Sequence, residues 1–360
     1  MTEAPPAPQA PSVHPARWGL AAALFAATFF TTTTLGAVWS LYSRLDVMVD
    51  PNVVAPWLSP TVVASVWSRP EWLRLGLSYS LPLLFILLCH ELGHYLTSRR
   101  YRIATTPPFF LPLPLALGTF GAFIRIREPF PDKRKLFDVA VAGPIAGFVA
   151  LLPVLVYGIR HSPPVAIATV PAGEAIMPGN NLALWATTRL VHGVLPDGVM
   201  LNLHPFVLAA WVGLLATSIN LLPVGQLDGG HVLYALAGER HRQIARAAWL
   251  VIALGAFFSL GWLVWAFIVL LIGIGHPPVL DTTVGLDRKR KVLAAIALLI
   301  LVVSFMPAPE RRVVVGAPAT ERPLQRAALG VGAAPPPAAA AGGRSSTNVT
   351  GPSLTNSTSM

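Results

Sequence analysis

The residues with the clearest chemical meaning are His90, Glu91 and His94, which form the pattern His-Glu-x-x-His. On a helix, side chains four positions apart lie on the same face, so both imidazoles can reach one metal ion. In this pattern the two histidines bind zinc and the glutamate beside them serves as a general base. The spacing therefore predicts a hydrolytic metal site on a helix.

The segment that carries this pattern, residues 75–98, is long and apolar enough to cross a bilayer, for which about 20 residues suffice. Ionisable side chains are costly inside a membrane, so a functional role is the default hypothesis for those found there. The alternatives are an accidental match to the pattern, or two buried histidines whose hydrogen bonds are made within the protein. Either alternative would leave three polar side chains in lipid without a function. Cys89 points away from His90 on a helix and is interpreted as a packing residue.

The composition is that of a membrane protein with several spans, since 54% of the 360 residues are hydrophobic and 12% are charged. The single cysteine excludes an intramolecular disulfide framework and a cysteine-rich zinc site. The net charge of +10 is expected to reflect basic residues on the cytoplasmic side, and no nucleic-acid partner is predicted. The expected fold class is an all-α polytopic membrane protein with about six transmembrane segments.

The apolar runs divide the chain into five regions. We expect a disordered N-terminus over residues 1–17 and a first transmembrane span with an external loop over residues 18–74. The core that carries the site follows over residues 75–235, with further C-terminal transmembrane segments over residues 236–306. The Pro- and Ala-rich tail, residues 307–360, is expected to be disordered.

Basic residues next to a span mark its cytoplasmic end. The group at residues 99–102 follows the span with the histidines, which places the N-terminus and the active site toward the cytoplasm. The basic groups at residues 133–135 and 288–291 are expected on the same side. Residues 247–275 leave two alternatives open. A single span would place the basic group at residues 288–291 outside, whereas a helical hairpin would return the chain to the inside with arms that are short for a crossing.

Residues 105–127 are apolar but contain several prolines, which exclude a regular helix. The alternation of side chains from Phe123 to Arg127 suits a strand. Non-helical backbone at membrane depth needs cover from protein or a cavity. We therefore expect a re-entrant β-hairpin beside the active-site helix, the alternative being an ordinary cytoplasmic loop on the membrane.

A third span at about residues 136–159 contains Gly143 and Gly147. Small residues four positions apart permit a neighbouring helix to approach closely. We expect another helix to pack against this pair.

Two histidines leave a catalytic zinc short of one protein ligand. Asp228 is the best candidate because it follows an apolar span, and Pro223, Gly225 and the two glycines after Asp228 break the helix and let its carboxylate turn toward the metal. The alternative is an Asp-Gly-Gly turn on the surface. His231 is expected beside the site at most, because a fourth protein ligand would close the position that catalysis needs open.

Four stretches together resemble the site-2 protease family of intramembrane zinc metalloproteases. In chain order they are residues 90–94 (HELGH), 117–121 (LGTFG), 142–147 (AGPIAG) and 220–229 (NLLPVGQLDG). The resemblance implies a three-span core in which His90, His94 and Asp228 hold one zinc, Glu91 is the base, and Asn220 positions the substrate or stabilises the oxyanion. The loops are too short for an inserted PDZ-like domain, which indicates a PDZ-less branch.

The family resemblance implies an enzyme that hydrolyses peptide bonds of transmembrane protein substrates within or near the lipid bilayer, as in regulated intramembrane proteolysis. A metal or proton transporter is an alternative, but the sequence shows no internal repeat and one metal constellation. A non-proteolytic scaffold is another, although it would not need Glu91. Asn220 lies eight residues before Asp228, about 12 Å along a continuous helix, so we expect it to flank a substrate strand in the same pocket without contacting the metal.

Overall fold

The computed structural model describes residues 17–42, 59–114, 117–167, 173–257, 260–277, 279–308 and 310–315. The helices are α1 (Trp18–Tyr42), α2 (Pro60–Ser68), α3 (Pro70–Arg100), α4 (Lys133–Arg160), α5 (Leu182–His192), α6 (Pro205–Asn220), α7 (Asp228–Ala237), α8 (His241–Leu254), α9 (Leu260–Ile272) and α10 (Arg288–Ser304). The strands are β1 (Phe109–Pro112), β2 (Thr119–Phe123), β3 (Pro164–Ala166), β4 (Gly173–Pro178), β5 (Val199–Leu201) and β6 (Glu310–Val315).

Three helices, α1, α3 and α4, are long and apolar enough to cross a membrane. Helices α6 and α9 are apolar but shorter. A mostly helical membrane protein is therefore confirmed, while the count of about six transmembrane segments stays a prediction beyond these three helices.

The helix that carries the histidines, α3, is central to the fold. It packs against α1, α4 and α6, and the main core lies where these helices meet. Tyr79 of α3 and Trp211 of α6 are fully buried there, and Trp39 of α1 contacts both rings edge-on at centroid distances of 5.9 Å and 5.4 Å. Aromatic side chains contribute large buried areas, so this cluster fixes α3 between its neighbours.

An antiparallel hairpin of β1 and β2 lies beside α1 and α3, with Phe109 opposite Phe123 and Phe110 opposite Ala122. This pairing agrees with the strand expected from the sequence at residues 105–127. Whether the hairpin re-enters a bilayer stays a prediction.

The remaining strands correct the sequence analysis, which expected strands in the hairpin alone. β3 pairs with β5, and β4 pairs with β6, both antiparallel. β6 falls in the tail that was predicted to be disordered, so that prediction is wrong for residues 310–315, and residues 316–360 lie outside the described residues. Short strands depend on partners far away in sequence, which local composition does not reveal.

The described part of residues 247–275 contains the end of α8 and all of α9. α8 ends at Leu254 and α9 begins at Leu260, and the indole N–H of Trp249 donates to the carbonyl of Ala266 at 2.9 Å. The two helices lie side by side, which favours the hairpin over a single span.

The basic groups near residues 99–102, 133–135 and 288–291 lie at the same end of the helix bundle. The link is Asp138, which accepts hydrogen bonds from Tyr101 at the end of α3 and from Arg290 at the start of α10. This arrangement agrees with a common cytoplasmic position for all three groups, while their side of the membrane stays a prediction.

Candidate active site

Helix α3 places His90 and His94 on one face, and both side chains are buried. Their Nε2 atoms lie 3.1 Å apart, and Oδ2 of Asp228 lies 3.3 Å from each of them. Within the described part of the chain, these three residues form the one group of His, Cys, Asp or Glu side chains that could hold a metal ion. The structure thus brings together the three ligands expected from the sequence.

Asp228 reaches the histidines because the chain reverses after α6. The helix ends at Asn220, and α7 begins at Asp228 itself. A Cβ on Gly229 would collide with the backbone of Leu221, so only glycine allows the two ends to approach so closely. The Asp228 side chain is 15% exposed, which rules out the surface turn that was its alternative.

The backbone of α4 orients the second histidine. The Nδ1–H of His94 donates to the carbonyl of Val139 at 2.8 Å, which leaves the lone pair on Nε2 for a metal. A Cβ on Gly143 would overlap the His94 ring, and a Cβ on Gly147 would lie 3.0 Å from Cβ of His90. The two glycines therefore allow the close approach of α3 and α4 that their spacing predicted.

The three ligand atoms fit a zinc ion. Zinc–ligand distances of about 2.0–2.1 Å at tetrahedral angles place neighbouring ligand atoms about 3.3–3.4 Å apart. The separations of 3.1 Å, 3.3 Å and 3.3 Å among His90, His94 and Asp228 are close to this value. Two imidazoles and one carboxylate also form the donor set of a catalytic zinc site with one position left open.

Glu91 lies next to this group and is 5% exposed. Glu91 lines the same cavity as Ile124, the residue after β2. A buried carboxylate that is not one of the three ligands can accept and release a proton at the site, and the hairpin forms part of the wall around it.

Asn220 lies closer to the metal site than the sequence predicted. Its Nδ2 is 3.4 Å from Nε2 of His90, whereas a continuous helix would have carried it about 12 Å from Asp228. The distance of about 12 Å assumed a continuous helix, whereas α6 ends at Asn220 and the chain turns back toward His90.

Two cavities meet at the site. One, of about 200 Å³, has polar and apolar walls, and its polar residues include His94, Gln226, Asp228 and His231. The other, of about 220 Å³, is lined by apolar residues that include Leu113, Phe120, Leu215 and Trp265. The walls shared by both cavities are formed by His90, Glu91, Ala122 and Asn220.

His231 and His276 form a pair that the sequence did not predict. Nδ1 of His276 bonds the carbonyl of Pro277, which can only accept, so Nε2 of His276 accepts from Nδ1–H of His231. Burial lowers the pKa of His276 to about 4, so this imidazole is neutral near pH 7. His276 lies 45 residues from His231, and no local pattern indicates the contact.

Comparisons with known proteins agree with this geometry. Residues 78–264 match the model of peptidase family M50. The chain is 30% identical over 309 residues to the probable zinc metalloprotease EGY1, chloroplastic, of Arabidopsis thaliana, which covers 80% of this chain and 53% of the relative. It is also 30% identical over 247 residues to the probable zinc metalloprotease EGY2, chloroplastic, of the same plant, covering 68% and 44%.

The chain spans about half the length of these curated relatives or less. The matched family region contains all four residues of the site, His90, Glu91, His94 and Asp228. The chain belongs to peptidase family M50, the site-2 protease family.

Proposed function

We propose that this chain is an intramembrane zinc metalloprotease that hydrolyses peptide bonds of transmembrane protein substrates. The observation that carries the proposal is the convergence of His90, His94 and Asp228, with Glu91 beside them, between helices that include membrane-length α3 and α4. Membership of peptidase family M50 and the two zinc metalloprotease relatives support it.

His90, His94 and Asp228 would hold the zinc. When bound, zinc lowers the pKa of its water to about 7 and polarises the scissile carbonyl. The Val139 carbonyl keeps His94 in the tautomer with a free Nε2. The chain's own groups must then move protons, balance charge and position the substrate.

Glu91 is proposed as the general base. Its carboxylate takes a proton from the attacking water, and the resulting acid passes this proton to the nitrogen of the leaving amine. The carboxylate lies in the cavity that residues 122–124 of the hairpin also line. Glu91→Gln keeps the shape of the side chain and removes this proton acceptor.

Asn220 is proposed to stabilise the oxyanion. Its amide Nδ2 lies beside the ligand His90 and lines both cavities, so a carbonyl bound at the site can accept from it. Loss of one such donor costs about 3–4 kcal/mol in other proteases.

Strand β2 is proposed to bind the substrate as an added strand. In the described part of the chain β2 pairs with β1 alone, and residues from Gly121 to Ile124 line the two cavities. A transmembrane helix hides its carbonyls in internal hydrogen bonds, so it must unwind before cleavage. Backbone pairing with β2 would compensate for the bonds lost in unwinding.

The experiment is cleavage of a transmembrane peptide substrate by the purified full chain in detergent or vesicles. Wild type should release two fragments, and a zinc chelator or Glu91→Gln should abolish the release. Leu96→Gln is a suitable control, because Leu96 is an exposed residue of the same helix. Undiminished cleavage by Glu91→Gln would overturn the assignment of the base, and cleavage that survives zinc removal would overturn the metalloprotease.

A further inference from the structure

Asp138, in the second turn of α4, receives three hydrogen bonds, two from a residue of α10 and one from the residue that follows α3. Arg290 of α10 donates from Nε to Oδ1 at 2.9 Å and from Nη2 to Oδ2 at 2.5 Å. The hydroxyl of Tyr101, the residue after α3, donates to Oδ2 at 2.5 Å. The side chains of Asp138 and Arg290 are 15% and 22% exposed, so this two-pronged pair is largely shielded from water.

This carboxylate is adjacent to a residue that orients a metal ligand. Val139 follows Asp138 in α4, and its carbonyl accepts the Nδ1–H of His94 at 2.8 Å. A shift of this helical turn would move the carbonyl and with it the His94 ring. Groups that orient the ligands of a metal typically change its affinity about 10–100-fold.

The Tyr101 hydroxyl acts as a hydrogen-bond donor to Asp138. Its hydrogen bond to the Asp138 carboxylate raises the pKa of the phenol, so the phenol keeps its proton. Because Tyr101 follows directly on α3, Asp138 links the end of the helix that carries His94 to α4 and α10.

The chain before α10 docks along the segment that leads into α4. The backbone N–H of Leu280 donates to the carbonyl of Phe130 at 3.1 Å, and that of Asp281 donates to Pro131 at 2.9 Å. Nε of Arg134 donates to the carbonyl of Gly285 at 2.8 Å. Phe130 lines the active-site cavity, so this C-terminal segment, which lies beyond the family match at residues 78–264, supports a wall of the site.

We propose that Arg290 is a positioning residue for the metal centre. By holding Asp138, it fixes the turn of α4 whose Val139 carbonyl orients His94. The inference rests on the proposed zinc function, and it makes α10 part of the catalytic unit. The competing role is a structural one, in which Arg290 fastens α10 to α4 without affecting the metal.

The test measures zinc affinity without substrate, by titrating the purified full chain against a chromophoric chelator. Arg290→Gln should weaken zinc binding about 10-fold or more. The zinc affinity of Arg290→Lys should fall between those of Arg290→Gln and wild type, because an ammonium keeps the charge but cannot donate two parallel hydrogen bonds to the carboxylate. Lys289→Gln, at an exposed neighbouring position, should leave the affinity unchanged. The visible spectrum of the Co²⁺-substituted protein should change in Arg290→Gln, because a displaced His94 alters the ligand geometry.

A purely structural role would lower the melting temperature of Arg290→Gln while leaving its zinc affinity and cobalt spectrum at the wild-type values, and this result would overturn the inference. If Arg290→Gln does not fold, Tyr101→Phe decides, since it removes one donor to Asp138 without changing the charge. Tyr101→Phe should weaken zinc binding measurably, and wild-type affinity in this variant would overturn the inference. Failure of the wild-type protein to bind zinc would instead contradict the proposed function itself.

Discussion

Gly143→Ala should destroy the metal site through a single added methyl group. The three atoms nearest to a Cβ at this position all belong to the His94 ring and lie well inside van der Waals distance. The ring would have to move by about 1 Å or more, whereas metal–ligand distances tolerate about 0.2 Å. Because displacing only a partner of a ligand costs about 10–100-fold in affinity, displacing the ligand should cost about 100-fold or more.

Two matched variants separate this effect from general damage to the helix. Gly147→Ala places its Cβ 3.0 Å from Cβ of His90, a contact that a shift of a few tenths of an ångström relieves, so zinc affinity should fall by at most about 10-fold. Gly158→Ala places its Cβ 2.8 Å from the backbone nitrogen of Val207 and disturbs the packing of α4 on α6 away from the metal. This variant should lose thermal stability and keep its zinc.

The assay is a zinc titration of the three variants in detergent, with melting temperature measured in parallel. The expected order of zinc affinity is wild type and Gly158→Ala together, then Gly147→Ala, then Gly143→Ala. Wild-type affinity in a folded Gly143→Ala protein would refute the packing of His94 against α4.

Three further predictions follow from the site and the topology. Asn220→Ala should keep its zinc and its melting temperature but cleave a transmembrane peptide substrate about 100-fold more slowly. Near-normal cleavage by this variant would exclude Asn220 as the oxyanion donor. Lys289→Cys in a Cys89→Ser background should be labelled from the cytoplasmic side, and labelling only from outside would mean that residues 247–275 cross the membrane as a single span. Burial lowers the pKa of His276 from its ordinary 6.5 to about 4, so the unfolded chain binds this proton more readily and folding stability should decline as pH falls from about 6.5 to about 4. His276→Gln should make this decline shallower. An unchanged pH profile of the melting temperature in this variant would exclude His276 as its source.

The position of His90 and His94 on one face of a helix could be predicted from the sequence, because a helix brings residues four positions apart onto the same face. Asp228 could be predicted because a zinc site with two histidines needs another ligand, and few acidic residues follow an apolar span. Both inferences use local geometry and the known preferences of zinc.

The contacts of Asn220, Val139 and Arg290 could not be predicted in the same way. Asn220 approaches His90 because the chain reverses beyond α6, and a sequence shows that a helix breaks without showing where the chain goes next. Val139 acts through a backbone carbonyl, which every residue has. Arg290 pairs with Asp138, which lies 152 residues away in the chain. In the sequence, the basic residues around Arg290 indicated only a side of the membrane.

The central claim is tested most directly by metal analysis of the purified full chain. The wild-type protein and Glu91→Gln should each carry about one zinc per chain, because Glu91 is not a ligand, and Asp228→Ala should lose most of its zinc. Full zinc retention by Asp228→Ala, or loss of zinc from Glu91→Gln, would contradict a site built from His90, His94 and Asp228.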